Sequence, residues 1–263
     1  MAMSGRAPTD SATSGNSSSG GAAPGPPSAQ EAEVKGLGHL GTGAGVGLAG
    51  GIVGIVLPIV FLWLTTHNPG GFFAYDTMLV DTTGFFVLAG SILLLVCLFL
   101  YRQSFSSLRS ADGRFAIASV LCVVGSVGFL LILVSAAILV GASSSLIQCL
   151  HRSPTGALSC IRSGQPFGAD TGIVGFWLGW LGGLGIVIGL ALAGRRYHSG
   201  AIQGGASLYA FLLLVLVGPF LALLTPLPGI NYLLLAVPVF IVLGPGLVLG
   251  GARQLWARRK APA

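Results

Sequence analysis

Residues 115–142 read FAIASVLCVVGSVGFLLILVSAAILVGA, an apolar run without a single Asp, Glu, Lys, Arg or His. A bilayer core about 30 Å thick is crossed by about 20 such residues in one helix, so this stretch reads as a membrane span. Five more runs share its character: Ala44–Thr66, Thr83–Tyr101, Thr171–Gly194, Ala206–Thr225 and Tyr232–Gly251. Nearly every charge lies between them. Only 8% of the 263 residues are charged, whereas a soluble domain carries about 25%. In hydrocarbon each backbone N–H and C=O must find a partner within helices or a closed barrel. The period-2 alternation of a barrel strand is absent, which leaves helices. The expected fold class is therefore all-α transmembrane, a six-helix polytopic bundle.

The segments flanking the bundle are of a different kind. Residues 1–42 are rich in Ser, Gly, Ala, Pro and Thr, with little to bury against the entropy of ordering, and are expected to form a disordered tail. The bundle is expected over residues 43–252, and residues 253–263 form a short basic tail. A signal peptide is not expected, because a long polar stretch precedes the first apolar run.

Charge sets the expected orientation. With the N-terminus inside, the inner segments hold Arg6, Lys35, Arg102, Arg109, Arg114, Arg195, Arg196, Arg253, Arg258, Arg259 and Lys260. The outer segments keep only Arg152 and Arg162. This 11-to-2 division follows the positive-inside rule and predicts a cell-membrane protein with both termini cytoplasmic. The same cations attract anionic lipid at about 1 kcal/mol each near the surface. The net charge of +6 thus belongs to the membrane face, and nucleic acid is not an expected partner. The bilayer is, and so is a second copy or another membrane protein.

Glycine and cysteine carry the local signals. Gly175, Gly179 and Gly183 recur every four residues in the fourth span, as do Gly43, Gly47 and Gly51 in the first, with Gly50 and Gly54 alongside. Such rows allow helices to approach closely, either within the bundle or between chains. Trp177 and Trp180 are expected to fill space beside the fourth-span row or to sit at the interface. Cys149 and Cys160 share the third outer loop, where a disulfide would stabilise a ring of about twelve residues by about 3 kcal/mol. Two free thiols or a metal or redox site are the other readings of that pair. Cys97 and Cys122 lie within spans and read as packing residues.

Prolines at Pro58, Pro219, Pro238 and Pro245 interrupt three spans. Broken helices of this kind can line a substrate site, or simply kink. Two stretches, Gly36 to Gly41 and Gly45 to Gly50, fit Gly-x-Gly-x-x-Gly, but a nucleotide site of that type needs a preceding strand in a soluble βαβ unit. His67, Asp76, Asp81, His151 and Asp170 populate the outer segments without metal-ligand spacing, so no metal or cofactor is expected. With no His, Asp or Glu in the middle of any span for acid–base work, an enzyme is not expected. The reading is a non-catalytic packing or assembly component, with a channel or transporter for a neutral solute as the alternative and a membrane enzyme as the third.

Reporters fused at the C-terminus, in Arg102–Arg114 or at Arg195–Arg196 are expected to read as cytoplasmic, and one between Cys149 and Cys160 as external. Labelling of a cysteine introduced at Ser107 by an impermeant reagent in intact cells would reverse the orientation.

Overall fold

A computed structural model of the chain describes residues 29–66, 76–141, 166–222 and 230–260. All the regular structure among them is helical. Helix α1 spans Ala29–Gly51 and runs through a π-helical turn, Ile52–Val56, into α2, Leu57–Thr66. Then follow α3 (Asp76–Arg109), α4 (Phe115–Gly141), α5 (Pro166–Arg196), α6 (Gly200–Ala222) and α7 (Ile230–Lys260). Five stretches have the length and apolar composition to cross a membrane, and Gly200–Leu216 of α6 is a shorter apolar helix. The outer surface is as apolar as the interior: Phe85, Ile117, Val120 and Leu214 are each more than 60% exposed, which only a lipid surround makes favourable.

The helix ends depart from the sequence reading. Helix α1 begins at Ala29, so residues 29–42 are helix and not the expected disordered tail, while residues 1–28 lie outside the described residues. The reason is burial: Leu37 and Leu40 are fully enclosed, and the Ser104 hydroxyl donates to the Gly36 carbonyl at 2.8 Å. Helix α3 likewise runs eight residues past Tyr101 to Arg109, through what reads as a basic loop. Charged residues are compatible with helix once it has left the hydrocarbon. The connection left to α4 is short, closed by Asp112 N–H donating to the Leu108 carbonyl and by the Asp112 carboxylate accepting from Arg114 N–H, each at 3.0 Å.

The α5–α6 turn is tighter still. Ser199 N–H donates to the Gly194 carbonyl at 2.9 Å and His198 N–H to Arg195 at 3.4 Å, a Schellman pairing that puts His198 in the left-handed region at φ 50°. The Ser199 hydroxyl then accepts from Ile202 N–H at 3.4 Å and caps α6. Turns this short force antiparallel neighbours.

The helices close into a ring in which α1 packs on α3, α3 on α4, α4 on α5, α5 on α6, α6 on α7, and α7 returns to α1. Glycine sets two of these contacts. A methyl group on Gly175 would sit 2.8 Å from the Gly128 carbonyl oxygen, and one on Gly128 would sit 2.7 Å from that of Gly175. Gly125 meets Gly182 backbone to backbone, and Gly185 meets Leu121, Cys122 and the Ala118 carbonyl. The register along α4 and α5 is constant: 132 with 175, 128 with 179, 125 with 182. Across the ring, Gly54 lies on Gly90, Gly50 on Leu93 and Leu94, and Gly47 on Cys97, again at one antiparallel register.

The π turn belongs to this second contact. Pro58 has no N–H, and the preceding Leu57 N–H reaches back five residues to the Ile52 carbonyl, so the helix widens where Gly54 touches α3.

Substituting Gly128→Leu pushes a branched side chain into the α5 backbone and is expected to lower stability by at least about 1–3 kcal/mol. Gly250→Ala, which meets nothing within 4 Å, should leave it near wild type. Thermal unfolding in detergent, followed by tryptophan fluorescence, checks both. Equal midpoints for the two variants would remove the close contact from the account.

Candidate functional site

Inside the ring lies a chamber of about 310 Å³ with walls from α1, α3, α4, α5, α6 and α7. Toward the end that carries the basic turns it is closed by aromatic packing. Tyr101, Phe105 and Phe115 are fully buried, with ring centroids 5.8 and 6.1 Å apart, and Phe105 lies directly on Gly189 of α5. Leu108, Leu190, Ile202 and Val248 complete this packed half. A smaller cluster, Leu212, Val215, Val237 and Ile241, packs on the other side of the chamber.

Glycines make the room. Gly47, Gly51, Gly54, Gly179 and Gly183 line the chamber, and bulk around them comes from Phe129, Ile132, Phe176 and Trp180. Polar atoms are few. The Trp180 indole N–H is taken by the Leu213 carbonyl at 3.1 Å. What faces the space is the buried Ser91, the Cys97 thiol and the Tyr209 side chain. Among the described residues, no Asp, Glu, Lys, Arg or His contributes to the wall. Such a site can desolvate an apolar molecule and offer it a hydroxyl or thiol, but it offers no charge.

A second cluster ties the basic end together. Glu33 of α1 is buried and receives Arg196 of α5 at 2.8 Å on one carboxylate oxygen and Arg259 of α7 at 3.4 Å on the other. Arg196 also donates to the Ala111 carbonyl at 3.0 Å, and so binds the α3–α4 turn. Both guanidinium groups lie over the Tyr197 ring, 5.9 and 5.8 Å from its centroid. Burial, and then the Glu33 carboxylate, raises the Tyr197 phenol above its ordinary pKa and keeps it neutral.

The residues singled out in the sequence are distributed unevenly between these places. Gly175 and Gly179 face α4, but Gly183 faces Leu213 of α6, so the expected single face is divided. Likewise Gly43 and Gly47 face α3 while Gly51 faces Ile241 of α7. The reason is helical pitch: a step of four residues overshoots a full turn by about 40°, so a row of three drifts onto another neighbour. Alternating steps of four and three, as in Gly43, Gly47, Gly50 and Gly54, hold one face. Trp180 is in the chamber wall, and Trp177 is edge-on to it at 6.3 Å between centroids and partly exposed.

Cys97 and Cys122 are buried free thiols. Cys149 and Cys160, with their expected bridge, lie outside the described residues, as do His67 and His151. Asp76 and Asp81 fall in the first turns of α3 and Asp170 in α5. Among the described residues no three His, Cys, Asp or Glu side chains come together as a metal site would require.

Sequence reading missed Glu33, Arg196 and Arg259 as a unit, because it took the arginines as orientation signals and Glu33 as tail. The chamber had no signal at all beyond glycines on several spans. Comparison with protein-family models, curated proteins and solved structures finds no match to this chain.

Replacing Glu33→Gln leaves two guanidinium groups without their carboxylate and is expected to cost about 2 kcal/mol, within the range for charged hydrogen bonds. Arg259→Gln, at the longer contact and half exposed, should cost less than about 1 kcal/mol. Thermal midpoints in detergent give the order, and a larger loss for Arg259→Gln would contradict the assignment.

Proposed function

We propose that this is a non-catalytic six-span protein of the cell membrane, both termini cytoplasmic, that takes a neutral and mainly apolar small molecule into the chamber between its helices. The observation that carries the reading is the chamber itself, with walls drawn from every span and no Asp, Glu, Lys, Arg or His among its described lining residues. Its volume of about 310 Å³ is at the lower end of the about 300–1,000 Å³ usual for small-molecule sites. A wall of this kind suits a lipid-soluble compound with one or two hydrogen-bonding groups, which Ser91 and Tyr209 can meet. Coupling to protons or ions is disfavoured, because that normally leaves charged residues within the spans.

The glycine faces fit this reading better than assembly with a partner. Gly175 and Gly179 are used on α4 of the same chain and Gly183 on α6, so the row supports ring closure. The orientation rests on the charge division alone.

The test is to purify the protein in a mild detergent and identify extracted small molecules by mass spectrometry, beside a Ser91→Phe variant that fills the chamber. The wild type is expected to retain a discrete apolar compound, and the variant to lose it by about tenfold or more while remaining folded. The same compounds at equal levels in both proteins would refute binding in the chamber and leave a packing role.

A further inference from the structure

A different space opens at the basic end, on the outside of the ring. A groove of about 1,220 Å³ runs between α1 and α7. Its upper part carries four cations, Lys35, Arg253, Arg259 and Lys260, against one carboxylate, Glu31. Its lower part is mainly apolar, walled by Leu37, Val46 and Leu249 with His39 and Thr42 beside them.

The floor of the groove consists of Gly38, Gly41 and Gly45, and these glycines differ from those facing α3. There, an added methyl group collides with backbone, as at Gly54. Here, methyl groups on Gly38 and Gly41 would meet Trp256 and Ala252 at 3.6 Å, and one on Gly45 would meet Leu249 at 4.0 Å, all ordinary contacts. Close helix approach therefore does not require glycine at these positions. Their missing side chains leave a slot.

The slot has the depth of one leaflet. From Lys35 to Val46 the helix rises about 16 Å at 1.5 Å per residue, about half of a bilayer core of about 30 Å. We infer that the α1–α7 groove binds one anionic phospholipid, its phosphate held by Lys35 and Arg253 and one acyl chain lying along Gly38, Gly41 and Gly45. Arg259 is engaged by Glu33 at 3.4 Å, and Lys260 lies 4.7 Å over the Trp256 ring, which places an amphipathic indole at headgroup level. Lys35 and Arg253 are both exposed and can meet a phosphate without breaking the Glu33 cluster. A zwitterionic headgroup brings its own cation into a rim that already holds four, so the charge favours an anionic lipid. The apolar slot favours a lipid over a soluble anion.

Phosphatidylglycerol and phosphatidylcholine with the same acyl chains, added to the full-length protein in detergent, test the inference by native mass spectrometry and thermal unfolding. Phosphatidylglycerol is expected to be retained at one molecule per chain and to raise the midpoint, with phosphatidylcholine doing neither. Lys35→Gln combined with Arg253→Gln should weaken retention by about tenfold or more. Gly45→Leu should also expel the lipid, since it fills the slot without touching the charges. Arg109→Gln, at the end of α3 and outside the groove, should bind as wild type does. Equal retention of the two lipids, or phosphatidylglycerol binding unchanged in both groove variants, would overturn the inference. A shift of the same size from inorganic phosphate alone would also overturn it, by showing an anion site without a lipid. If the double variant does not fold, Gly45→Leu decides by the same readout.

Discussion

Direct backbone contact between helices, permitted by glycine, is the constraint on which the rest of the structure depends. Lipid offers helices little hydrophobic reason to associate, because the tails are as apolar as leucine. What remains is contact area and dipolar attraction at short range, and both rise steeply as two backbones approach. Gly125 on Gly182 and Gly54 on Gly90 fix the α4–α5 and α1–α3 pairs at one register each. With the neighbours set, the short turns at Asp112 and His198 determine which helix comes next, and the ring closes. The chamber is a by-product of the same residue type. Where Gly47, Gly51, Gly179 and Gly183 turn partly inward, the ring has no side chains to fill its middle.

The middles of the helices were legible in the sequence and their ends were not. Hydropathy reports crossing of the hydrocarbon, so residues 115–142 read almost as they fold, against Phe115–Gly141 in the structure. It does not report where a helix stops in water, which is why Arg102–Arg109 read as loop and residues 29–42 as tail. The spacing of Leu37, Leu40 and Ala44 was the available sign of a buried face in that supposed tail, at three and then four residues. Glycine rows were legible as contacts but not as to partner, since a fixed step of four ignores the drift that sends Gly183 to α6. The groove and the chamber could not be read, because each depends on what segments far apart in the chain leave empty, two for the groove and six for the chamber.

Among the described residues, ion pairs tie one end of the bundle together. Glu33 joins α1, α5 and α7 through two arginines, and Arg196 extends the link to the α3–α4 turn. A carboxylate this enclosed is tolerated because both of its oxygens have charged partners, the closer being Arg196, whose loss would leave a charge facing a poorly solvated interior. Away from that end, the described residues Leu212, Val215, Val237 and Ile241 form a purely apolar cluster.

Closure of the ring by α1 against α7 has a consequence for biosynthesis. Every other neighbouring pair is consecutive along the chain and can form as each hairpin leaves the ribosome and enters the bilayer. The α1–α7 seam joins the segments that emerge farthest apart in time. Until α7 arrives, the growing protein is an open arc: the α7-facing side of α1 and the inner wall are exposed to lipid, and Glu33 lacks one of its two arginines. The final helix therefore acts as the keystone of assembly. It encloses the interior space, creates the outer groove and completes the ion cluster in a single event, so an arrested chain is distinguishable from a finished one by all three.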